Sequence, residues 1–371
     1  MRVLYVGNFD PFETGGTRRA FEVVRRVHRY GVEPYILHVK SVPNDFFTRI
    51  GALRSLKEYI VVGRGLSYLK SLDVDLVVAT SESPSTVLTA YHIAKKLQKP
   101  WTTIMQLPIK LRYTPASTEP IVLDPLWLPQ QLAVLNVLRK TIVLTVSLSC
   151  IVESTVKPPK YLVIKPGVGI DVEKYLGTKV YEKIFDAIFM ARLTPEKGVY
   201  DVVKIWREVV KVHPKATLAV AGKFKDGKTM SKFFKLVEKY DLKKNITYLG
   251  YISENVKAHM LKSARIFVYP SILDAFPIVV LEALACGLPV IAYDIPAIRY
   301  NYPHNIVIRV SKKDVSEFTR QVLLLINDDN KLKKIGEKAK RFASLFTWDN
   351  VVKAETSLYE NVIRHNKNSP N

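Results

Sequence analysis

Short apolar runs alternate with longer amphipathic stretches along most of this chain. In the first half, residues 3–6, 34–39, 76–79, 102–105 and 142–146 are nearly continuous apolar segments. Runs of that kind predict strands buried on both faces, as in a parallel sheet. Helical spacing occupies the intervals, near 17–30, 53–69, 85–97 and 129–139. Strand–helix alternation builds a doubly wound parallel sheet.

The pattern breaks at Lys157-Pro158-Pro159-Lys160, and Lys165-Pro166-Gly167-Val168-Gly169 follows one strand later. A domain junction is expected there, giving domains of 1–164 and 165–346. Strands are then predicted at 184–190, 217–221, 246–249, 266–269, 289–292 and 306–310. Helices are predicted at 199–212, 229–240, 254–263 and 277–285. Three more helical segments, near 315–326, 331–345 and 348–363, finish the chain. Two such halves in tandem predict a cleft between the carboxyl ends of their sheets, where open α/β structures bind ligands.

Composition narrows this picture. With 371 residues, 48% of them hydrophobic, the chain can bury two cores of ordinary size. Cys150 and Cys286 lie in apolar segments and read as small hydrophobes, not a disulfide framework. The seven histidines show no metal-ligand spacing, so neither a metal nor another cofactor is expected. No apolar region of about 7–15 residues precedes a small-residue cleavage site. The longest uncharged apolar stretch, 141–152, is too short to cross a bilayer. A cytoplasmic protein, soluble or peripheral at the inner face of the membrane, is the expectation.

Lys and Arg number 56 against 34 Asp and Glu, a formal charge of +22. Such an excess suits nucleic acid, anionic membranes or phosphorylated substrates. Residues 1–165 carry 22 basic against 12 acidic residues and the remainder 34 against 22, so no basic tail concentrates it. A nucleic-acid-binding protein would account for the charge, but no aromatic–basic motif supports one, and no nucleic-acid partner is expected.

The chemistry concentrates in 263–292. A buried strand ends at Tyr269, a polar loop carries Asp274, Pro277 opens a helix and Gly287 closes it. A helix start offers unpaired N–H groups and positive dipole charge, which suits a diphosphate. Glu282 falls on an otherwise apolar helix, where a carboxylate is costly unless paired or hydrogen-bonded. Capping a neighbouring loop and gripping a ribose diol both remain open. Earlier, Arg192 and Lys197 stand five positions apart in a loop after a strand, followed by Gly198. Two cations there can neutralise a leaving diphosphate.

Asp274-x7-Glu282 with Ala283-Leu284-Ala285-Cys286-Gly287-Leu288-Pro289-Val290-Ile291-Ala292 resembles the donor-binding signature of retaining glycosyltransferase family 4, a group 1 family of GT-B fold. Pro166-Gly167-Val168-Gly169-Ile170-Asp171, Ala191-Arg192-Leu193-Thr194-Pro195-Glu196-Lys197-Gly198, Val220-Ala221-Gly222 and Tyr248-Leu249-Gly250-Tyr251 fit in order and spacing. The resemblance covers about 160–295. It implies two facing Rossmann-like domains, with the last helix crossing back to the first. It also implies transfer of a hexose-type sugar from a UDP- or GDP-type donor to a glycan, lipid-linked or other hydroxyl acceptor.

In similar enzymes Asp274 meets the donor sugar, and Phe276, Pro277, Ile278 and Val279 present backbone to phosphate. Glu282 holds the ribose, while Gly222 and Tyr251 line the base pocket. Two positions depart from the family pattern. Asp274 replaces the usual Glu, and Gln106 stands about where many relatives carry His. A nucleotide-sugar epimerase or hydrolase would use a similar cleft.

In the first half, Gly15-Gly16 follows strand one in a loop that lacks the G-x-G-x-x-G spacing of dinucleotide sites. Paired glycines let backbone approach a phosphate closely, and in similar glycosyltransferases this loop faces the donor. On the following helix, at about 100° per residue, Arg18, Arg19, Arg25, Arg26 and Arg29 share one side. They are expected to form either a solvated outer face or a contact with anionic lipid.

Overall fold

The computed structural model describes residues 1–11, 13–39, 58–61, 72–109, 127–179 and 182–368. These fall into two compact units. One holds the described residues up to Gly169 together with those from Thr347 on; the other holds Ile170–Phe346.

In the first unit, strands β1 (Arg2–Gly7), β2 (Glu33–His38), β3 (Glu58–Val61), β4 (Leu76–Ala79), β5 (Trp101–Met105), β6 (Val143–Thr145) and β7 (Tyr161–Val163) form one sheet. Its order is β3-β2-β1-β4-β5-β6-β7, and every pairing is parallel. The helices are α1 (Gly15–Val24), α2 (Pro84–Leu97), α3 (Trp127–Leu138) and α4 (Leu148–Glu153). Parallel neighbours need such crossovers. Strand order reverses from β1 to β4, the switch point at which doubly wound sheets open toward ligands.

The second unit repeats the plan with β8 (Phe185–Met190), β9 (Leu218–Ala221), β10 (Ile246–Gly250), β11 (Ala264–Tyr269), β12 (Val290–Tyr293) and β13 (Val307–Val310). The order is β10-β9-β8-β11-β12-β13, again all parallel. Its helices are α5 (Val172–Gly177), α6 (Val199–Val212), α7 (Gly227–Lys239), α8 (Glu254–Lys262), α9 (Ile278–Ala285), α10 (Pro296–Asn301), α11 (Val315–Ile326) and α12 (Asp329–Ala343). The last helix, α13 (Trp348–Asn368), belongs to the first unit.

Three local expectations need correction. Residues 58–61 form strand β3 beside β2, where apolar spacing suggested a helix over 53–69; the remainder of that segment lies outside the described residues. Pairing with the edge of β2 decides the conformation there, which local periodicity does not sense. The helix expected over 17–30 is two elements, α1 ending at Val24 and a 3-10 turn over Val27–Tyr30, closed by Gly31 at φ +73°. Apolar spacing runs through the break because Val27 stays buried.

The third correction concerns the basic face of α1. Arg19 is 1% exposed, and its Nη2 lies 2.5 Å from Oε2 of Glu355 on α13. Arg25 and Arg26 both pair with Glu22, Arg29 reaches Asp349 at 3.3 Å, and Arg18 is half-buried with a partner of its own. The returning helix α13 covers part of the face assigned to solvent. Arg19 is thereby spent inside the unit, while Arg25 and Arg29 keep 31% and 57% of their side chains exposed.

Candidate active site of the second unit

Neighbouring strands β8 and β11 run parallel, so the loops that leave their carboxyl ends emerge side by side. The loop after β8 contains a 3-10 turn, Pro195–Lys197, and the loop after β11 leads to α9. Backbone and hydroxyl groups fasten the two together: Ile272 N donates to Glu196 O at 2.9 Å, and Ser271 Oγ donates to Glu196 O at 3.2 Å. At Gly198, φ is +85°, and a Cβ there would stand 2.0 Å from the carbonyl oxygen of Pro270. Only glycine permits both that backbone region and that approach.

The fastening brings Lys197 and Asp274 into contact. Lys197 Nζ lies 2.5 Å from Asp274 Oδ2 and donates to Leu273 O at 3.2 Å. An ammonium has three donors, so one remains for an incoming oxyanion. Asp274 also accepts from the Tyr269 hydroxyl and, at 2.8 Å, from the backbone N–H of Ala275. Burial alone would raise the Asp274 pKa; the Lys197 charge and hydrogen bond, with those from Tyr269 and Ala275, outweigh it and hold the carboxyl below its ordinary value. Burial and the Asp274 charge push the Tyr269 phenol far upward, so it remains a neutral donor.

Helix α9 begins at Ile278, with Pro277 as the residue before the first turn rather than within it. No side chain caps this start, which leaves the N–H groups of Ile278 and Val279 as natural partners for an anion. The loop that delivers it is braced by two residues that sequence reasoning did not single out. Asn301 Nδ2 donates to Ala275 O at 3.1 Å, and the buried Tyr302 hydroxyl donates to Pro277 O at 2.8 Å. Phe276 packs edge-on against Tyr302 and Phe346.

Glu282 is 2% exposed and is paired. Tyr175 on α5 donates to its Oε1 at 2.8 Å, and Lys257 on α8 lies 3.2 Å from Oε1. Neither partner was foreseen; they stand 107 and 25 positions away in the chain, and nothing local marks them.

The remaining residues are placed less tightly. Arg192 is exposed, and no hydrogen bond or ion pair joins its guanidinium to Lys197 or Asp274 among the described residues. Tyr251, just past β10, is 70% exposed. Gly222, just past β9, has φ +137°, and a Cβ would come within 1.8 Å of the Ala191 carbonyl oxygen. Gly222→Ala is therefore expected to cost about 2–3 kcal/mol in backbone strain. Thermal unfolding is expected to read this as a fall of about 5 °C or more.

In the first unit, Gly15 and Gly16 open α1, which Thr14 and Thr17 cap reciprocally. Gln106, just past β5, donates through Nε2 to Thr80 O at 2.7 Å and to Gly16 O at 3.2 Å. Its backbone N–H donates at 2.8 Å to Glu82, a residue sequence reasoning passed over. Burial raises the Glu82 pKa against the opposing hydrogen bonds of backbone N–H groups. Among the described residues no group of three or more His, Cys, Asp and Glu side chains is arranged to hold a metal.

Residues 177–342 match the family model described as Glycosyl transferases group 1. The phosphatidylinositol N-acetylglucosaminyltransferase gpi3 subunit of Schizosaccharomyces pombe is 23% identical over 193 residues, 51% of this chain and 41% of that protein. An uncharacterized glycosyltransferase of Methanocaldococcus jannaschii is 25% identical over 193 residues, 52% of this chain and 48% of that protein. The chain thus spans about half the length of the curated relatives it matches.

Among solved structures, Anabaena HepE with UDP and glucose superposes with a TM-score of 0.74 at 14% identity, over 97% of this chain and all of that one. Sucrose-phosphate synthase from Thermosynechococcus elongatus gives 0.74 at 17% identity, over 98% and 99%. The α/β architecture is that of GT-B glycosyltransferase structures.

Proposed function

We propose that the chain is a glycosyltransferase that moves a hexose-type sugar from a nucleotide diphosphate donor to an acceptor hydroxyl. The observation that carries this reading is the cluster in the second unit. Lys197 keeps one free donor beside Asp274, the uncapped start of α9 follows within four residues, and Glu282 lies on the same helix. Cation and helix start together suit a diphosphate tail. Asp274 is ionised and offers an acceptor to sugar hydroxyls, and the Glu282 carboxylate suits a ribose diol. Arg192 supplies a second cation from its exposed position when the donor is bound. The pair of cations takes the place a metal holds in other nucleotide-sugar enzymes.

UDP is the first donor base to test, because HepE has been solved with UDP and with UDP-glucose. Retention of anomeric configuration belongs to this reading. So does a front-face course in which the departing phosphate oxygen takes the acceptor proton, a course that requires no protein nucleophile. The acceptor is a glycan or lipid-linked hydroxyl, reached from the cytoplasmic side. The Gly15-Gly16 turn of the first unit offers backbone for close approach of a phosphate.

Thermal unfolding with UDP, GDP, ADP and their common sugars tests the proposal directly, because a ligand bound only to the folded state raises its melting temperature. One nucleotide series is expected to stabilise the protein; no shift with any of them sinks the reading. Glu282→Gln keeps shape but removes the charge that grips the ribose. Nucleotide affinity measured by calorimetry is expected to fall about tenfold or more, the scale for one hydrogen bond to a charged group. Unchanged affinity would remove Glu282 from the donor site.

A further inference from the structure

The amino ends of the strands in the second sheet lie opposite the edge that carries Lys197 and Asp274, and three lysines meet there. Strands β8, β11 and β12 are parallel neighbours, so they start side by side. Lys183 stands two residues before β8, Lys262 closes α8 two residues before β11, and Gly287 precedes β12 by three. The third lysine, Lys340, comes from α12 and crosses Gly287. A Cβ on that glycine would collide with the Lys340 Cε and stand 3.3 Å from its Nζ.

Each ammonium has a donor to spare. Lys183 Nζ donates to the carbonyls of Lys262 and Ala264 at 2.7 and 2.6 Å. Lys262 Nζ donates to those of Leu176 and Thr178 at 3.0 and 2.5 Å. With three donors apiece, both keep one. These carbonyls lie at the ends of α8 and α5, where a lysine complements the helix dipole. That role accounts for Lys183 and Lys262 but leaves Lys340 unexplained, since its Nζ donates to no protein group among the described residues.

Little negative charge balances the three. Glu182 and Glu337, their acidic neighbours in the chain, form no ion pair with them among the described residues. The nearby Arg265 is already paired with Asp329. Burial pushes the Cys286 thiol up to about 12 in spite of the lysines, so it stays neutral. Helices α5, α8 and α9 all end here, each contributing about half a negative charge at most. Three full cations exceed their sum. Burial holds Lys183 and Lys262 below the ordinary lysine pKa, and the charge of Lys340 pushes each further down.

We propose that Lys183, Lys262 and Lys340 bind a phosphate-type oxyanion at the amino end of the second sheet. A tetrahedral oxyanion presents several acceptor oxygens to the spare donors and relieves the mutual repulsion of three cations. Lys183 and Lys340 are exposed and Lys262 is half-buried, so a free ion or the phosphate of a larger solute can reach them. The site adjoins the last turn of α9, at the opposite end of that helix from Asp274. Nothing in it depends on the proposed reaction.

Thermal unfolding of the intact chain, with inorganic phosphate replacing chloride at constant ionic strength, tests the site, because a ligand bound only to the folded state raises the melting temperature. General salting-out by phosphate acts on every variant alike, so differences between variants decide. Lys340→Gln removes a charge without breaking a hydrogen bond. Its melting temperature in chloride is expected to be unchanged or higher, and the phosphate needed for a given rise to increase about tenfold, the scale for one hydrogen bond to a charged group. Lys340→Arg is expected to respond as the parent does. So is Lys338→Gln, an exposed lysine about 200° around α12 from Lys340. Phosphate is also expected to protect Lys183 and Lys340, but not Lys338, from acetylation by acetic anhydride, read residue by residue by mass spectrometry.

Equal phosphate responses in Lys340→Gln and the parent would overturn the proposal. Equal losses in Lys340→Gln and Lys338→Gln would mean that only total charge matters, and the cluster would be no site. A response lost in Lys197→Ala but kept in Lys340→Gln would put the ion at the carboxyl end of the sheet, and the proposal would fail there too.

Discussion

Replacing Lys197 by alanine is expected to lower turnover by about 10²–10³, the scale for removing one preorganised group that stabilises developing charge. The expectation rests on how the ammonium is held. One donor goes to Asp274, another to the Leu273 carbonyl, and the third is left for a phosphate oxygen. Its position is fixed by two loops fastened through Glu196, Ser271 and Ile272, so little reorganisation is needed as the diphosphate gains charge. An interaction that strengthens in the transition state lowers kcat more than it raises KM. Nucleotide release from the donor, with water as acceptor where no better one is known, measures this without knowledge of the acceptor. Near-wild-type release in Lys197→Ala would mean that the leaving group lies elsewhere. Removing Lys197 also strips Asp274 of its cation. Lys197→Ala with Asp274→Asn therefore separates loss of a charge stabiliser from the cost of an unpaired carboxylate. If the double substitution restored turnover, charge stabilisation by Lys197 would be the wrong account.

Much of the fold was legible because the strands of parallel sheets are buried on both faces and carry almost no polar residues. Val290–Tyr293 and Leu218–Ala221 are fully buried, and their apolar runs could be found without knowing what covers them. The strand Glu58–Val61 was not legible, since its conformation comes from its partner Tyr35–His38 and not from its own spacing. The same division holds in the candidate site. Lys197, Asp274 and Glu282 could be singled out as charges in apolar or loop surroundings. What each one touches could not be read: the partners of Glu282 come from α5 and α8, and the braces of the 274–277 loop from Asn301 and Tyr302. A sequence shows where a polar group would be costly; only the fold shows what satisfies it. Arg192 illustrates the converse, a cation conspicuous in the sequence that the fold leaves without a protein partner among the described residues.

The largest stability effect is expected at Glu355, and the reason explains why the basic face of α1 was misjudged. Helical spacing placed Arg19 among the outward arginines, yet α13 returns over that side of the unit and supplies Glu355. Both side chains are 2% exposed. The guanidinium donates to Glu355 Oε2 and, at 2.6 Å, to the Gly167 carbonyl. The other carboxylate oxygen accepts from Tyr359 at 2.6 Å, and Tyr359 contacts the Tyr5 hydroxyl of β1 at 3.2 Å. Burial, reinforced by the Glu355 charge, drives the Tyr5 phenol far above its ordinary pKa, so the chain of hydrogen bonds stays neutral at both tyrosines. Glu355→Ala strands a guanidinium with no countercharge and is expected to cost about 3–5 kcal/mol. Read by thermal unfolding, that is a fall of roughly 10 °C. Arg19→Met with Glu355→Leu removes both charges and fills the space with apolar atoms, so most of the stability is expected to return. The recovery separates two accounts of the pair. If the double variant remained as unstable as Glu355→Ala, the loss would come from the broken tie between α1, the Gly167 loop and α13, not from an unpaired charge. If Glu355→Ala itself cost less than about 1 kcal/mol, water would have to reach Arg19, and its burial under α13 would be refuted.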